Sequence, residues 1–334
     1  MIPAHPLPAQ AARWQVLWRD AIRDPRELLA LLGLEAEAAA LSDAAAAAFP
    51  LRVPRGFAAR MRHGDANDPL LRQVLPRVDE ERVVPGFDLD AVGDGAARAG
   101  RGVLHKYASR ALLVATGSCA VHCRYCFRRH YPYGEDSAAA GQWREAVDYV
   151  AANADVEELL LSGGDPFSLA TAKLDELTRA LRPVPHLRRL RIHTRLPVVL
   201  PERVDAELLA WLRGLPWPVA IVLHANHADE LDDSVADACA RLRAAGATLL
   251  NQSVLLRGVN DDAGVLAALS ARLFDVGVLP YYLHQLDRVA GTAHFEVDDA
   301  RARSLHAELH RRLPGYLLPR LVREVAGEPG KTAL

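Results

Sequence analysis

The chain is predicted to fold as an α/β protein, a partial (βα)6 TIM-like barrel preceded by a helical N-terminal extension. Three observations predict this. From residue 110 onward, six short apolar, β-rich runs alternate with six helix-like stretches. Residues suited to chemistry gather where those runs end. Before residue 105 the alternation is absent, and turn signals dominate.

The N-terminal part divides in two. The stretch AARWQVLWRDAIRDPRELLALLGL spaces its apolar residues as a helix does, with breaks near Asp24-Pro25 and at Gly33. The run Ala44–Ala48 is helix-prone and reads as an ordinary packing helix. Residues 50–105 carry repeated turn signals, among them Val53-Pro54, Asn67-Asp68-Pro69 and Pro85-Gly86. Residues 1–105 are therefore expected to wrap around a core formed by residues 106–334.

In that core the predicted strands are Ala111–Thr116, Glu158–Ser162, Leu190–Thr194, Val219–His224, Thr248–Val254 and Pro280–His284. Helices are predicted near 138–153, 171–182, 202–213, 229–245, 261–275 and 298–312. Strand–helix repetition implies a parallel sheet with its helices outside. Eight units would close a full barrel; six predict an open one. In such folds the strand C-termini line the active site. Cys119, Gly163-Gly164-Asp165, His193-Thr194-Arg195, His224, Gln252 and Asp287 all fall at or just beyond predicted strand ends.

With 334 residues, half of them hydrophobic, the chain can bury a sizeable core. Its 40 basic and 42 acidic residues nearly cancel, so charge calls for neither nucleic acid nor membrane as partner. The opening MIPAHPLPAQ lacks the basic and apolar regions of a signal peptide. No stretch of about 18 apolar residues is present to span a membrane. A cytoplasmic protein is expected. Three of the four cysteines sit within eight residues, which suits metal binding better than a disulfide framework.

That segment reads TGSCAVHCRYCFRRH. Cys119, Cys123 and Cys126 can converge on one inorganic cluster. Four thiolates usually complete a [4Fe–4S] cluster; three leave one iron open to bind a substrate or cofactor. Structural zinc is the competing assignment, with His122, His130 or the distant Cys239 as fourth ligand. The glycines of SGGDPF allow backbone to approach a ligand closely. Lys331, in the Gly/Pro-rich tail REVAGEPGKTAL, reads by itself as a solvated side chain.

The CxxxCxxC segment resembles the signature of radical S-adenosylmethionine (SAM) enzymes, with Tyr125 as the usual aromatic before the last cysteine. SGGDPF resembles their motif for the SAM amino group, which implies that role for Gly163, Gly164 and Asp165. Gln252 and His224 are expected to line the same pocket. More widely, HKYASRALL, CRYCFRRHYP, LSGGDP, RIHTRLPVVLPER, HANHADE, LLNQSVLLRGVND and the PGKT tail resemble lysine 2,3-aminomutases over about residues 65–334.

The resemblance implies a [4Fe–4S] cluster, SAM and pyridoxal 5′-phosphate (PLP). Lys331 would bind PLP covalently, with Arg110 near its phosphate and Tyr107 near its ring. Arg128 would hold the carboxylate of L-lysine. Asp287 and Glu324 would face its ε-ammonium, with Glu324 standing where relatives have Asp. A flavodoxin- or ferredoxin-type electron donor is implied. The chain is short at both ends and lacks the extra C-terminal cysteines that bind zinc in catabolic members. In this it resembles the branch whose (R)-β-lysine is attached to elongation factor P by a lysyl ligase. The competing expectation is a member serving free β-lysine metabolism.

Overall fold

A ten-stranded sheet, ordered as in the chain, organises the computed structural model, which describes residues 13–141 and 143–334. The opening residues read above for a signal peptide lie outside the described residues. The strands are β1 (Arg98–Gly100), β2 (Val103–Tyr107), β3 (Arg110–Thr116), β4 (Glu158–Gly163), β5 (Arg189–Thr194), β6 (Val219–Leu223), β7 (Thr248–Val254), β8 (Leu279–His284), β9 (Arg320–Arg323) and β10 (Thr332–Ala333). From β3 to β9 each strand pairs in parallel with the next. β1–β2, β2–β3 and β9–β10 are antiparallel.

β3–β8 are the six expected strands, each within a residue or so of its predicted bounds. The parallel run then continues into a seventh strand, β9. Its four residues, Arg-Leu-Val-Arg, are too short to show a period of their own. Helices Arg144–Ala152, Thr171–Leu181, Ala206–Arg213, Asp233–Ala244, Ala263–Asp275 and Asp299–Arg312 make the six crossovers. Four of them begin at an aspartate, Asp205, Asp232, Asp262 or Asp298. In each case the carboxylate accepts a first-turn backbone N–H. None of the helices among the described residues is long and apolar enough to cross a membrane.

The N-terminal region forms short helices, including Arg13–Arg19, Pro25–Leu31, Asp43–Ala48 and Pro69–Arg72. Asp24, Ser42 and Asp68 cap the last three. Their buried Leu28, Leu29, Leu70 and Leu71 join one continuous core with Leu113, Leu161 and Ile192 of the sheet. The boundary expected at 105/106 falls inside β2.

The C-terminal tail is tied to this frame. β10 pairs with Arg323 and Val322 of β9, and Leu334 N donates to Leu321 O at 3.3 Å. Lys331 is thus presented by a short hairpin beside the end of the parallel sheet.

Candidate active site

A cavity of about 330 Å³ lies at the C-terminal ends of the parallel strands. Its lining includes all fourteen residues expected to bind a ligand: Cys119, Cys123, Cys126, Gly163, Gly164, Asp165, Gln252, His224, Lys331, Arg110, Tyr107, Arg128, Asp287 and Glu324. Residues of β2, β3, β4, β5, β7 and β8 meet there with His224 just beyond β6, Glu324 just beyond β9, Lys331 just before β10, and residues of the N-terminal region.

The cysteine loop follows β3 and is held from behind. Trp18 Nε1 and Arg52 Nη1 both donate to Cys119 O, at 3.2 and 3.1 Å. His122 N donates to Arg52 O, and Arg124 N to Gln73 O. The Arg124 side chain, between two cysteines, is wholly buried and donates through Nε to Glu80 at 2.7 Å. Arg129 Nη2 reaches the other Glu80 oxygen at 2.8 Å. Sequence reading gave none of these N-terminal partners a role.

The competing zinc assignment finds no fourth ligand. His122 bonds Pro50 O and stacks on Phe49. His130 is exposed and bonds Ala290 O. Cys239 is buried in the helix Asp233–Ala244. None of the three lines the cavity. Among the described residues no three His, Cys, Asp or Glu side chains are grouped to hold a metal ion by themselves. Burial pushes the Cys119 thiol well above its usual range, and Asp165 and the other two cysteines add to the shift. Burial likewise pushes Cys126 up to about 11, with Cys123 adding to it. Three buried thiolates lining one cavity need cationic compensation, which a cluster with one open iron would supply. The donor set fits that group.

The glycine motif ends β4 and touches the cysteine loop directly. A Cβ on Gly163, whose φ is +111°, would lie 2.7 Å from Thr116 O. One on Gly164 would lie 2.5 Å from Ser118 O. The glycines therefore admit the backbone of residues 116–118, a role distinct from the ligand approach inferred from sequence. The Asp165 carboxylate accepts from Phe167 N (3.0 Å), Thr194 Oγ1 (2.7 Å), Arg195 N (2.7 Å) and Leu196 N (3.0 Å). Those four bonds use its lone pairs, so its side chain locks β4 to β5 and has no acceptor left for a ligand. Burial raises this carboxyl to about 6 although the four donors oppose the shift.

Charged groups crowd another part of the cavity. Arg128 donates to Asp94 at 2.6 Å and to Ser162 Oγ at 3.0 Å. Lys106 bridges Asp94, at 2.8 Å, and Glu324, at 3.6 Å. Tyr107 Oη donates to Glu324 at 2.8 Å, and Lys331 Nζ forms an ion pair with the same carboxylate. Burial works against the Glu324 carboxylate, yet Lys331, Tyr107 and Lys106 hold it below its usual range. Asp287 goes the other way: burial raises it to about 6, with Lys331 opposing and Glu324 reinforcing. Asp94 and Lys106 were not foreseen as site residues. Lys106 lies within the HKYASR segment, whereas Asp94 gives no signal beyond an Asp in a Gly-rich turn.

The same cavity carries polar groups in want of a partner. Arg110 sits over the Tyr107 ring at 4.2 Å and has no ion-pair partner among the described residues. His193 and His284 each present a buried Nε2 without a hydrogen bond. Gln252 and His224 contact each other at 3.0 Å. Burial keeps all three histidines neutral, with His224 lowered to about 3. An unpaired guanidinium, two unpartnered imidazoles and an amine fit an anionic, polar ring such as PLP.

Comparison with known proteins agrees with this geometry. Residues 113–268 match the Radical SAM superfamily. An L-lysine 2,3-aminomutase of Escherichia coli is 49% identical over 96% of this chain and 94% of its own length. That of Haemophilus influenzae is 44% identical over 99% and 98%. That of Clostridium subterminale is 35% identical over 80% of this chain and 64% of its own. The chain therefore belongs to the L-lysine 2,3-aminomutase family of radical SAM enzymes, and is an isomerase built around a [4Fe–4S] cluster and SAM.

Proposed function

We propose that this aminomutase converts (S)-α-lysine to (R)-β-lysine with PLP carried on Lys331, and that the product serves the β-lysylation of elongation factor P. The observation that carries the first part is the convergence of Lys331, Arg128, Asp287, Glu324 and the three cysteines on one cavity. When bound, SAM at the cluster supplies a 5′-deoxyadenosyl radical, and PLP supplies the carbonyl that carries the migrating nitrogen.

The chain's own residues bind and orient. Cys119, Cys123 and Cys126 hold the cluster. Gly163, Gly164 and Asp165 form the turn that receives the SAM amino group, through backbone atoms, beside Gln252 and His224. Arg110 holds the PLP phosphate and Tyr107 flanks the ring. Arg128 holds the substrate carboxylate. Asp287 and Glu324 pair with the ε-ammonium, whose burial without a counter-ion would be costly. Glu324 also receives the Lys331 ammonium when that amine is released. Residues 1–105 support this core and 106–334 perform the chemistry.

Elongation factor P enters through the tail REVAGEPGKTAL and the lack of extra C-terminal cysteines, which resemble the branch described above. In this proposal the enzyme acts in the cytoplasm and takes electrons from a flavodoxin- or ferredoxin-type protein. Reduced, reconstituted enzyme given L-lysine, SAM and PLP should form (R)-β-lysine by chiral mass spectrometry. Turnover of another amino acid with none of lysine would sink the substrate assignment. Adding elongation factor P and its ligase should then add a β-lysyl mass to the factor. Release of β-lysine without that modification would favour free β-lysine metabolism.

A further inference from the structure

Arg195 directly follows β5 and is almost fully buried at 5% exposure. Its Nη1 donates to Cys123 Sγ at 2.7 Å and to Tyr125 Oη at 2.8 Å. Its Nη2 donates to Gln73 Oε1 at 2.7 Å and to Glu230 Oε2 at 2.8 Å. The guanidinium fork is therefore fixed on both prongs, and one prong ends on a thiol sulfur.

The fixing groups are themselves buried and fixed. Glu230 Oε1 accepts from Gln73 Nε2 (3.1 Å), Asn226 N (2.9 Å) and His227 N (3.1 Å). Asn226 Nδ2 donates to Gln73 Oε1 and Tyr125 Oη. Glu230 balances the arginine's charge, so the contact with Cys123 is an oriented N–H dipole more than an unspent positive charge. Cys119 and Cys126 have no comparable side-chain donor among the described residues, so the three thiols are not equivalent.

Hydrogen bonds to sulfur stabilise the more electron-rich state of an iron–sulfur cluster and raise its potential. We propose that Arg195 is a positioning residue that sets the reduction potential of the cluster through its N–H···S bond to Cys123, with Glu230 holding it in place. The inference rests on the assignment of the three cysteines as cluster ligands. It concerns the one-electron reduction of the cluster by an external donor, and leaves SAM and lysine binding to other residues.

EPR-monitored redox titration of reconstituted enzyme without SAM or lysine tests it. Arg195→Gln should load the same iron per chain and titrate at a more negative potential. Arg195→Lys should recover part of the shift, and Glu230→Gln should give a smaller shift in the same direction. An Arg195→Gln protein with full iron and the parent's potential overturns the proposal. Should Arg195→Gln fail to load, 15N-arginine labelling of the parent decides. Pulsed EPR of the reduced cluster should show 15N coupling that Arg195→Lys removes, and absence of that coupling in the parent overturns the proposal. A parent that takes up no cluster at all removes the ligand assignment itself, a separate failure read from iron content.

Discussion

In the parallel sheet, chemical groups reach the cavity because strands end there. β3 leads into the cysteines, β4 into the glycine motif, β5 into Arg195, and β8 into Asp287. In the N-terminal region, Trp18, Arg52, Gln73 and Glu80 act from behind, on the backbone or buried arginines of the cysteine loop. The sheet delivers groups that touch ligands, and the N-terminal region restrains the loop that carries three of them. This difference separates two kinds of damage. Losses of ligand-touching groups in the sheet or tail should remove chemistry and spare assembly. Losses of contacts that hold the cysteine loop should remove assembly and spare chemistry in whatever protein still loads.

The largest effect tests the first half. Lys331→Ala should abolish β-lysine formation and borohydride-trapped PLP, while iron content stays at the parent level. Stability should move by about 1 kcal/mol or less, because the lost ion pair is partly exposed and Glu324 keeps Tyr107 and Lys106. Trapped PLP in this variant would place the reactive amine elsewhere. The second half is tested by Glu80→Gln, which leaves two buried guanidiniums, Arg124 and Arg129, without a carboxylate. Breaking a buried pair from one side costs about 3–5 kcal/mol. Denaturant unfolding should show that loss, iron per chain should fall, and turnover per loaded cluster should hold. Normal loading with slow turnover would reverse the assignment of roles.

The same contrast explains what the sequence made legible. β3–β8 are runs of apolar residues flanked by helical periodicity and turn residues, so their bounds follow from pattern alone. The cysteine spacing and the glycine pair lie at strand ends and carry their own signal. β9 and β10 were not legible, because four- and two-residue strands take their form from a neighbour. Asp94, Glu80 and Gln73 were not legible for another reason. Each is a polar residue outside the strand–helix pattern, and the partner that gives it its role lies far along the chain: Arg128 is 34 residues from Asp94, Arg124 is 44 from Glu80, and Glu230 is 157 from Gln73. The purpose of Gly163 and Gly164 was legible only in part. Sequence showed that backbone must come close, and the structure shows that the backbone is that of Thr116–Ser118.

A smaller effect sets one substitution in both regions. Gly164→Ala places a methyl 2.5 Å from Ser118 O, where backbone must give way. An overpacking cost of about 1–3 kcal/mol is expected, together with lower iron loading, since the displaced carbonyl precedes Cys119. Gly64→Ala in the wrap meets open space but sits at φ +75°. It should cost about 1–2 kcal/mol through backbone strain alone and leave loading intact. Equal losses of iron in the two variants would show that loading follows global stability, which would weaken the distinction between the regions.

The smallest effect concerns pH and divides the two acidic residues of the charged wall. Glu324 is held below its usual range and stays ionised through the neutral and mildly acidic region. Asp287 is raised by burial to about 6. Below that pH it is neutral and cannot pair with an ammonium, so the lysine KM should rise as pH falls through 6. One linked proton limits the slope to about tenfold per pH unit. Stability runs the opposite way. A carboxyl raised on folding favours the folded state most below its unfolded value, about 3.9, and that contribution is lost as pH rises through 6. Asp165 is raised to about 6 as well and shares this sign, so Asp287→Asn is compared with the parent across pH. The variant should flatten the KM profile and remove part, not all, of the stability slope between pH 4 and 6. An unchanged KM profile would move recognition of the ε-ammonium to Glu324 alone, leaving Asp287 as a buried carboxyl beside it.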